Sequence, residues 1–391
     1  MKTVCIIGGG PAGMMAAIST KLNNPSFQVH LIERNKMLGQ KLRLTGGGRC
    51  NVTANVTNEE VIASVVKNGR FLYSTLSNYN PQSIIEFFNQ NGCPLKMEDH
   101  FRMFPVTDNA VDIIAALNRK INELKIDLHL NTYVTNLDFV SKQLITSDKS
   151  YTFDYLVLAT GGITLPQSGS DGNMHEHLKA FDQPITELKP AEVPLVSNER
   201  FIQEKILQGL SFKDVKMTVY NENGKAIRTL THDLLITHFG LSGPAALRLS
   251  FDIIELLEKQ KDVLVSIDFI PRVNLPMEVK SMDYKDILQN ENVPKRLIDY
   301  IKEDVLTSYE ILSKLKNFTM KIHDTRGFKR AFVTNGGIHL KYVDPKTMKS
   351  KIYPFLSFAG ELLDINAYTG GFNITSALST GYTAGLYIDN E

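Results

Sequence analysis

Thr3–Ile7 form a short unbroken apolar run, the pattern of a strand buried on both faces. The run stops at Gly8. From Pro11 onward Met14, Ala17 and Leu22 mark a helix, with proline in the first turn where its missing N–H costs nothing. Val29–Ile32 is a second buried run, ending at Glu33. Residues 59–68, 81–91 and 108–124 read as amphipathic helices, the second started by Asn80-Pro81 and stopped by Gly92. Ile126–Leu137 and Tyr151–Phe153 predict strands of a small antiparallel sheet, and Tyr155–Ala159 another buried strand.

Between residues 190 and 325 the texture changes. Lys213–Tyr220 alternates as a half-buried strand, Asn223-Gly224 marks a hairpin, and Asp233–His238 and Val263–Phe269 add strands. Residues 275–318 are lysine-rich with a helical period. Leu356–Ala359 then returns to a buried strand, followed by a glycine loop and a C-terminal helix. The expected organisation is α/β: a domain split between 1–189 and 326–391, with 190–325 as an inserted β-rich domain carrying a helical cluster. No internal repeat or low-complexity segment interrupts it.

Gly8, Gly10 and Gly13 spell G-x-G-x-x-G between a strand and a helix, and Glu33 closes the following strand. That is a complete dinucleotide-binding unit. Gly8 permits the tight turn, Gly10 lets a diphosphate approach bare backbone, and Gly13 lets helix pack on strand. The helix N-terminus offers free N–H groups to the phosphates. Glu33 suits the two hydroxyls of a ribose and repels a 2′-phosphate.

Composition narrows the classes. The 43 basic and 42 acidic side chains nearly cancel, so no basic stripe suggests a nucleic acid and no membrane surface is implied. Cys5, Cys50 and Cys93 form neither a CxxC pair nor a zinc spacing, and no run has the length of a membrane span. The expectation is a cytoplasmic protein without a metal. His175 and His177 stand two apart at a predicted helix start, facing away from each other, and predict no metal site.

Three more glycine clusters identify the ligand. In 39–51, GQKLRLTGGGRCN, glycines 46–48 (Gly47 central) bring bare backbone close to something, with Lys41, Arg43 and Arg49 alongside. Ala159-Thr160-Gly161-Gly162 ends a strand. In 359–385 a strand delivers Gly360, Glu361 and Asp364, and Gly370-Gly371 opens a helix near Phe372-Asn373-Ile374. A site drawing on both chain ends must wrap a ligand longer than one βαβ unit holds. FAD fits, with its adenosine on the first unit, its ribityl chain near Gly360–Asp364 and its ring by the last helix's N-terminus.

The segments GGGPAGMMAA, GQKLRLTGGGRCN, DLLITHFGLSGPAAL, NGGIHLKYVDPKTMKSK and AGELLDINAYTGGFNITSALSTGYTAG resemble the aminoacetone-oxidase-like family of FAD-binding proteins, and are similar to bile-acid enone reductases of the BaiN type. The resemblance runs from residue 1 to 386. It implies a glutathione-reductase-like FAD-binding Rossmann domain with an inserted β-rich domain and a small helical cluster, and non-covalent FAD. It also implies contacts from Ala12, Glu33, Gln40, Lys41, Thr45, Val134, Gly161, Asp364, Gly371, Asn373 and Ile374, Val134 by its backbone to adenine. One loop, PQSGSDGNMHEH, departs from the family's pattern at Asp171 and Met174, and is expected beside the flavin entrance.

No second G-x-G-x-x-G follows a strand, so a dedicated nicotinamide domain is not expected. Two chemistries stay open: oxidation of an amine or amino-ketone with oxygen, or reduction of an electron-poor C=C bond with NADH or NADPH as transient co-substrate. A non-catalytic or RNA-modification flavoprotein is the alternative of a different class. The expected partner is a small molecule; the oligomeric state is not legible. Cys50 is a candidate redox thiol or a small packed residue. His238 reads as a proton donor or a turn cap, Tyr368 as a substrate-orienting hydroxyl or an ordinary tyrosine, and Arg102 as part of a packed strand end or a carboxylate binder.

Overall fold

A computed structural model describes residues 1–275, 284–305 and 307–389. The chain forms two compact units, Met1–Lys189 with Val333–Glu391, and Pro190–Phe332. Residues 326–332, assigned above to the nucleotide domain, thus group with the second unit.

The described residues of the first unit centre on a five-stranded parallel sheet. Its strands are β1 (Thr3–Ile7), β2 (Gln28–Ile32), β3 (Asp127–His129), β4 (Tyr155–Leu158) and β5 (Leu356–Phe358), in the order β5-β4-β1-β2-β3. Cys5 lies between His30 and Leu156 in register. Val4, Cys5, Ile6, Leu156, Val157, Leu158, Leu356 and Phe358 are fully buried. That explains the unbroken apolar runs: a parallel sheet has helices over its faces and no solvent side. Helices α1 (Pro11–Asn23) and α2 (Ala110–Glu123) bury Met14, Met15, Ile113 and Leu117 in the same core. Further along are α3 (Asn173–Lys179) and α4 (Phe372–Leu386).

Two predicted elements come out divided. The helix expected over 59–68 spans only Asn58–Ala63, and Val65–Lys67 is a strand paired with Asn366–Ala367. Its partner comes from the other chain end, which local periodicity cannot see. The strand expected over 126–137 breaks near Asn131, a left-handed residue at φ 51°. Its first part, β3, joins the parallel sheet; its second, Val134–Asp138, pairs antiparallel with Gln143–Thr146, which also pairs with Ser150–Thr152. Thr53–Ala54, Arg102–Pro105 and Leu95–Met97 make a separate three-stranded sheet.

The two ends of the chain meet along α1 and α4. A Cβ on Gly381 would stand 2.2 Å from the Ala12 carbonyl oxygen, and one on Gly385 2.4 Å from that of Ala16. These glycines, one helical turn apart, let the two backbones touch. The pairing of residue 12 with 381 and 16 with 385 means that the helices run in the same direction. Ser19 Oγ adds a hydrogen bond to the Tyr382 carbonyl at 2.7 Å. The Gly360 N–H, just past β5, donates to Thr380 Oγ1 at 2.9 Å.

In the described residues of the second unit, seven strands form one sheet in the order Phe318–Ile322, Val263–Asp268, Ser211–Tyr220, Ala226–Ile236, Gly240–Ser242, Leu195–Val196 and Asp324–Thr325. Its pairings are antiparallel. Helix Pro244–Leu257, not foreseen above, buries Ala245, Ala246, Leu249 and Ile253 in this unit's core. Of the helical cluster expected over 275–318, Tyr284–Asn290, Lys295–Ile301 and Ser308–Lys316 are helices, and 276–283 and 306 lie outside the described residues.

The seam between α1 and α4 sets intrinsic propensity against packing. In an exposed helix Gly→Ala stabilises by about 1 kcal/mol. Gly381→Ala is expected to destabilise by roughly 1–3 kcal/mol instead, because overpacking must push the helices apart. A urea midpoint that stays put or rises would contradict the seam.

Candidate functional site

The glycine turn after β1 leads into α1, whose N-cap is Gly10. This helix has no side-chain cap and no acid in its first turn, so its opening N–H groups remain for an external acceptor. Around it the predicted parts assemble. Gly8 takes φ +111° and its carbonyl packs against Gly13, where a Cβ would stand 1.8 Å away. Ala12 is buried against Gly360. Glu33, only 7 % exposed, accepts from the Gly9 N–H at 2.6 Å through Oε2, and from the Asn35 N–H and Nδ2 at 2.8 and 2.7 Å through Oε1. It therefore pins the glycine turn to the end of β2, and Oε2, with one bond made, keeps acceptor capacity for a ribose hydroxyl. Burial pushes its carboxyl above the usual range, and the hydrogen bonds from Asn35 and Gly9 oppose this. Gly9 and Asn35, which supply those bonds, were not among the expected site residues.

The glycine clusters at 39–51 and 359–385 share a half-buried polar group. Lys41 Nζ donates to Glu361 Oε2 at 2.6 Å and to Thr164 Oγ1 at 2.8 Å, and Glu361 Oε1 accepts from the Thr334 N–H at 2.8 Å. Gly161 lies beside Glu361 and Ser170, and Ser170 Oγ donates to the Gly162 carbonyl at 2.8 Å. The ion pair joins the loop after β2 to the loop after β5, across the end of β4. Gln40 precedes it, half-buried. Gly47 is exposed, and an added Cβ there, as at Gly10, would meet nothing within 4 Å.

At α4 the glycine requirement is stringent. Gly371 sits at φ +96°, and a Cβ would come within 2.7–2.9 Å of the Thr53 backbone. Like α1, α4 has no side-chain cap and no first-turn acid, and Phe372, Asn373 and Ile374 form that first turn. Because the helices run in parallel with Gly381 beside Ala12, the N-terminus of α4 projects nine residues beyond that crossing, about 13 Å. Two electropositive helix ends, offset along one direction, suit a ligand with a spacer between its diphosphate and a second electron-rich group.

Several side chains do other work than expected. Asn373 is used locally: its Oδ1 accepts from the Ala367 N–H at 2.8 Å and its Nδ2 donates to the Ala367 carbonyl at 2.6 Å, which fixes the loop into α4. Thr45 Oγ1 is likewise committed, to the Leu42 carbonyl at 2.7 Å. Asp364, buried, receives Asn68 Nδ2 at 3.4 Å and lies 3.8 Å from Lys67 Nζ. Val134 is buried, and Asn173 Nδ2 reaches its carbonyl at 3.5 Å. Arg102 pairs with Asp99.

The divergent loop crosses the residues after Glu33: Arg34 pairs with Asp171, Asn35 Nδ2 donates to the Ser168 carbonyl at 3.0 Å, and a Cβ on Gly169 would meet Asn35. Cys50 is fully buried, and desolvation pushes its thiol up to about 12, which favours the packed-residue reading over the redox one. Tyr368 is half-buried in the loop before Gly370, its N–H donating to the Ser64 carbonyl at 2.9 Å. His238 belongs to the second unit, exposed in the turn capped by Thr237 and edge-on to Phe239. His175 is buried and His177 half-buried; among the described residues no cluster of three or more His, Cys, Asp or Glu could hold a metal. Nor is any described helix long and apolar enough to cross a membrane.

The residues present fit a dinucleotide. Bare backbone faces open space at Gly10 and Gly47, both helix ends lack caps, and the buried Thr160 Oγ1 and Asn51 Oδ1 have no protein partner. Fold and site together define a Rossmann-type FAD-binding flavoprotein. The chain belongs to the family described as HI0933-like protein Rossmann domain, which matches residues 2–387. It is 26 % identical over 412 aligned positions to the 3-dehydro-bile acid delta(4,6)-reductase of Clostridium scindens, covering 98 % of each chain. It is 27 % identical to the ribosomal RNA dihydrouridine synthase of Haemophilus influenzae, covering 99 % of this chain and 98 % of that one. Among solved structures, the 3-ketosteroid-delta4-(5alpha)-dehydrogenase of Rhodococcus jostii superposes with a TM-score of 0.56 at 12 % identity, over 99 % of this chain and 96 % of that one, a likeness of fold.

Glu33→Ala is expected to weaken FAD retention roughly ten- to hundredfold, the worth of hydrogen bonds to a charged acceptor. Flavin fluorescence after dialysis measures this, and full retention would refute the ribose assignment. The three thiols, all buried, are expected to react with a disulfide reagent at pH 8 only on unfolding. One promptly reacting thiol in the native protein would reopen a redox role for Cys50.

Proposed function

We propose that this chain is a reductase, with non-covalently held FAD, that adds hydride and a proton to a C=C bond conjugated with a carbonyl. The observation that carries the proposal is the end-to-end match to relatives whose names share this chemistry. A delta(4,6)-reductase of 3-dehydro-bile acids removes ring double bonds, and making dihydrouridine reduces a ring double bond of uracil. Each acceptor carries a ring double bond polarised by a carbonyl. The bound FAD would supply the hydride, itself recharged by NADH or NADPH.

The rest falls to this chain's own residues. Glu33 and the first turn of α1 would hold the ribose and diphosphate, and Lys41, Gly161 and Glu361 the spacer. The first turn of α4, Phe372–Ile374, presents a positive dipole end that favours negative charge on the reduced ring. Hydride addition leaves electron density on the acceptor's carbonyl side, which needs a proton. Tyr368, beside the glycines that open α4, is our candidate for orienting that acceptor and supplying the proton. His238 remains a candidate in the second unit.

The near-balance of charge gives no footprint for RNA, yet the names of full-length relatives keep ribosomal RNA among the substrates to be tried. The test therefore has three arms, run anaerobically with NADH or NADPH: a 3-oxo-Δ4 steroid, ribosomal RNA lacking dihydrouridine, and an amino-ketone such as aminoacetone. NADH or NADPH is expected to bleach the flavin rapidly, and one of the first two acceptors to restore its colour while losing a double bond. Bleaching by the amine alone would overturn the proposal in favour of the oxidase. Tyr368→Phe is expected to lower kcat on the accepted substrate by roughly 10²-fold with little change in flavin content; an unchanged kcat would remove Tyr368 from the chemistry.

A further inference from the structure

The near-balance of charge over the whole chain hides a local excess in the second unit. Residues 318–332 carry four Lys or Arg, at 321, 326, 329 and 330, against one acid, Asp324. After the strand Asp324–Thr325, Gly327 takes φ +60° and opens a tight turn, in which the Arg330 and Ala331 N–H groups both donate to its carbonyl at 3.0 Å. That winding sets Lys329 and Arg330 three and four residues after Arg326, the spacing of neighbours on one helical turn. Lys329 and Arg330 are exposed, and a Cβ on Gly327 would meet nothing within 4 Å, so this side of the turn is uncovered. None of the three cations forms an ion pair with a described residue. Asp324 is used locally, its carboxylate accepting from the Thr325 N–H at 2.7 Å. Like charges at this spacing repel, and the fold gains nothing by grouping them without an acid. An anion from outside the chain accounts for the grouping.

An aromatic ring narrows the chemistry of that anion. Arg326 and Phe239 flank the strand Leu195–Val196: the Arg326 N–H donates to the Pro194 carbonyl and the Ser197 N–H to the Phe239 carbonyl, each at 3.0 Å. The Arg326 guanidinium lies 4.6 Å from the centre of the Phe239 ring, and His238 stands edge-on to that ring at 5.0 Å. A guanidinium held flat on one ring can take a second flat group on its opposite face. Together with two exposed cations it suits a phosphate joined to a base, the phosphate taking charge-assisted hydrogen bonds while the base stacks. A bare anion or a lipid headgroup would use the charges and leave the stacking plane idle. We infer that the turn 326–330, with Phe239, binds a phosphate-bearing nucleotide. None of these residues belongs to the FAD cradle, so the inference goes beyond the reductase reading and does not require it. That reading supplies two sources of the chemistry: a nicotinamide dinucleotide carrying a 2′-phosphate, and a strand of RNA.

Calorimetric titration of the purified full-length protein with NADP⁺, NAD⁺ and a short unstructured RNA, at low and moderate salt, separates the sources without reducing any flavin. Lys329→Gln combined with Arg330→Gln is compared with the wild type and with a control of equal charge change, Lys259→Gln combined with Lys261→Gln, two exposed lysines of the same unit. The turn variant is expected to weaken one of the probes roughly tenfold or more, with the control unchanged. If the source is the dinucleotide, the preference for NADP⁺ over NAD⁺ disappears; if it is RNA, the slope of log Kd against log salt falls by about two. Arg326→Lys keeps the charge and loses the plane, and is expected to weaken the same probe. Full affinity in that variant would overturn the nucleotide assignment. A wild type that binds neither NADP⁺ nor RNA, or equal losses in the turn variant and the control, would overturn the inference altogether. So would a turn variant with a lower Tm and unchanged Kd values, the mark of cations that serve the fold. Binding is read with no C=C acceptor present, and flavin content is read from absorbance, so failure of the reductase reading is told apart.

Discussion

The contact between the backbones of α1 and α4 is the constraint on which the site depends. Two helices from opposite ends of the chain can approach this closely only because Gly381 and Gly385 present no Cβ to Ala12 and Ala16. The close approach locks their direction and their offset. With both helices running the same way and α4 starting further out, two uncapped N-termini face one side of the sheet in fixed relation. The ligand has to satisfy both. That is a geometric argument for a long coenzyme, independent of the glycine motif after β1.

The polar groups around the seam serve the same purpose. Glu33 ties the glycine turn to β2, Lys41 and Glu361 tie the loops after β2 and β5 together, and Thr380 receives the Gly360 N–H. Each of these bonds joins segments far apart in sequence or braces a loop that must present bare backbone. The result is a preorganised cradle whose binding groups are already held in place, which spares a ligand the cost of ordering them.

Much of this was legible in the sequence for a physical reason. A strand buried on both faces has to be apolar throughout, so β1, β4 and β5 stood out, and a backbone that approaches a phosphate has to be glycine. What local pattern could not show was partnership at long range. Val65–Lys67 reads as the tail of a helix until Asn366–Ala367 arrives from the other end of the chain. The pairing of the Asn373 amide with the Ala367 backbone, which fixes the loop into α4, is of the same kind. The contacts of the loop through Asp171 were not legible either, because its neighbours Arg34 and Asn35 lie over a hundred residues earlier.

The central claim is that one coenzyme spans both helix ends, with its adenosine half at Glu33. The most direct measurement is a paired titration of the apoprotein with FAD and with FMN, which carries the same ring but lacks the adenosine. The account predicts a 1:1 complex with FAD and binding of FMN weaker by on the order of a hundredfold or more, since the ribose bonds to a charged acceptor are lost. Equal affinity for the two flavins, or no binding of either, would contradict it.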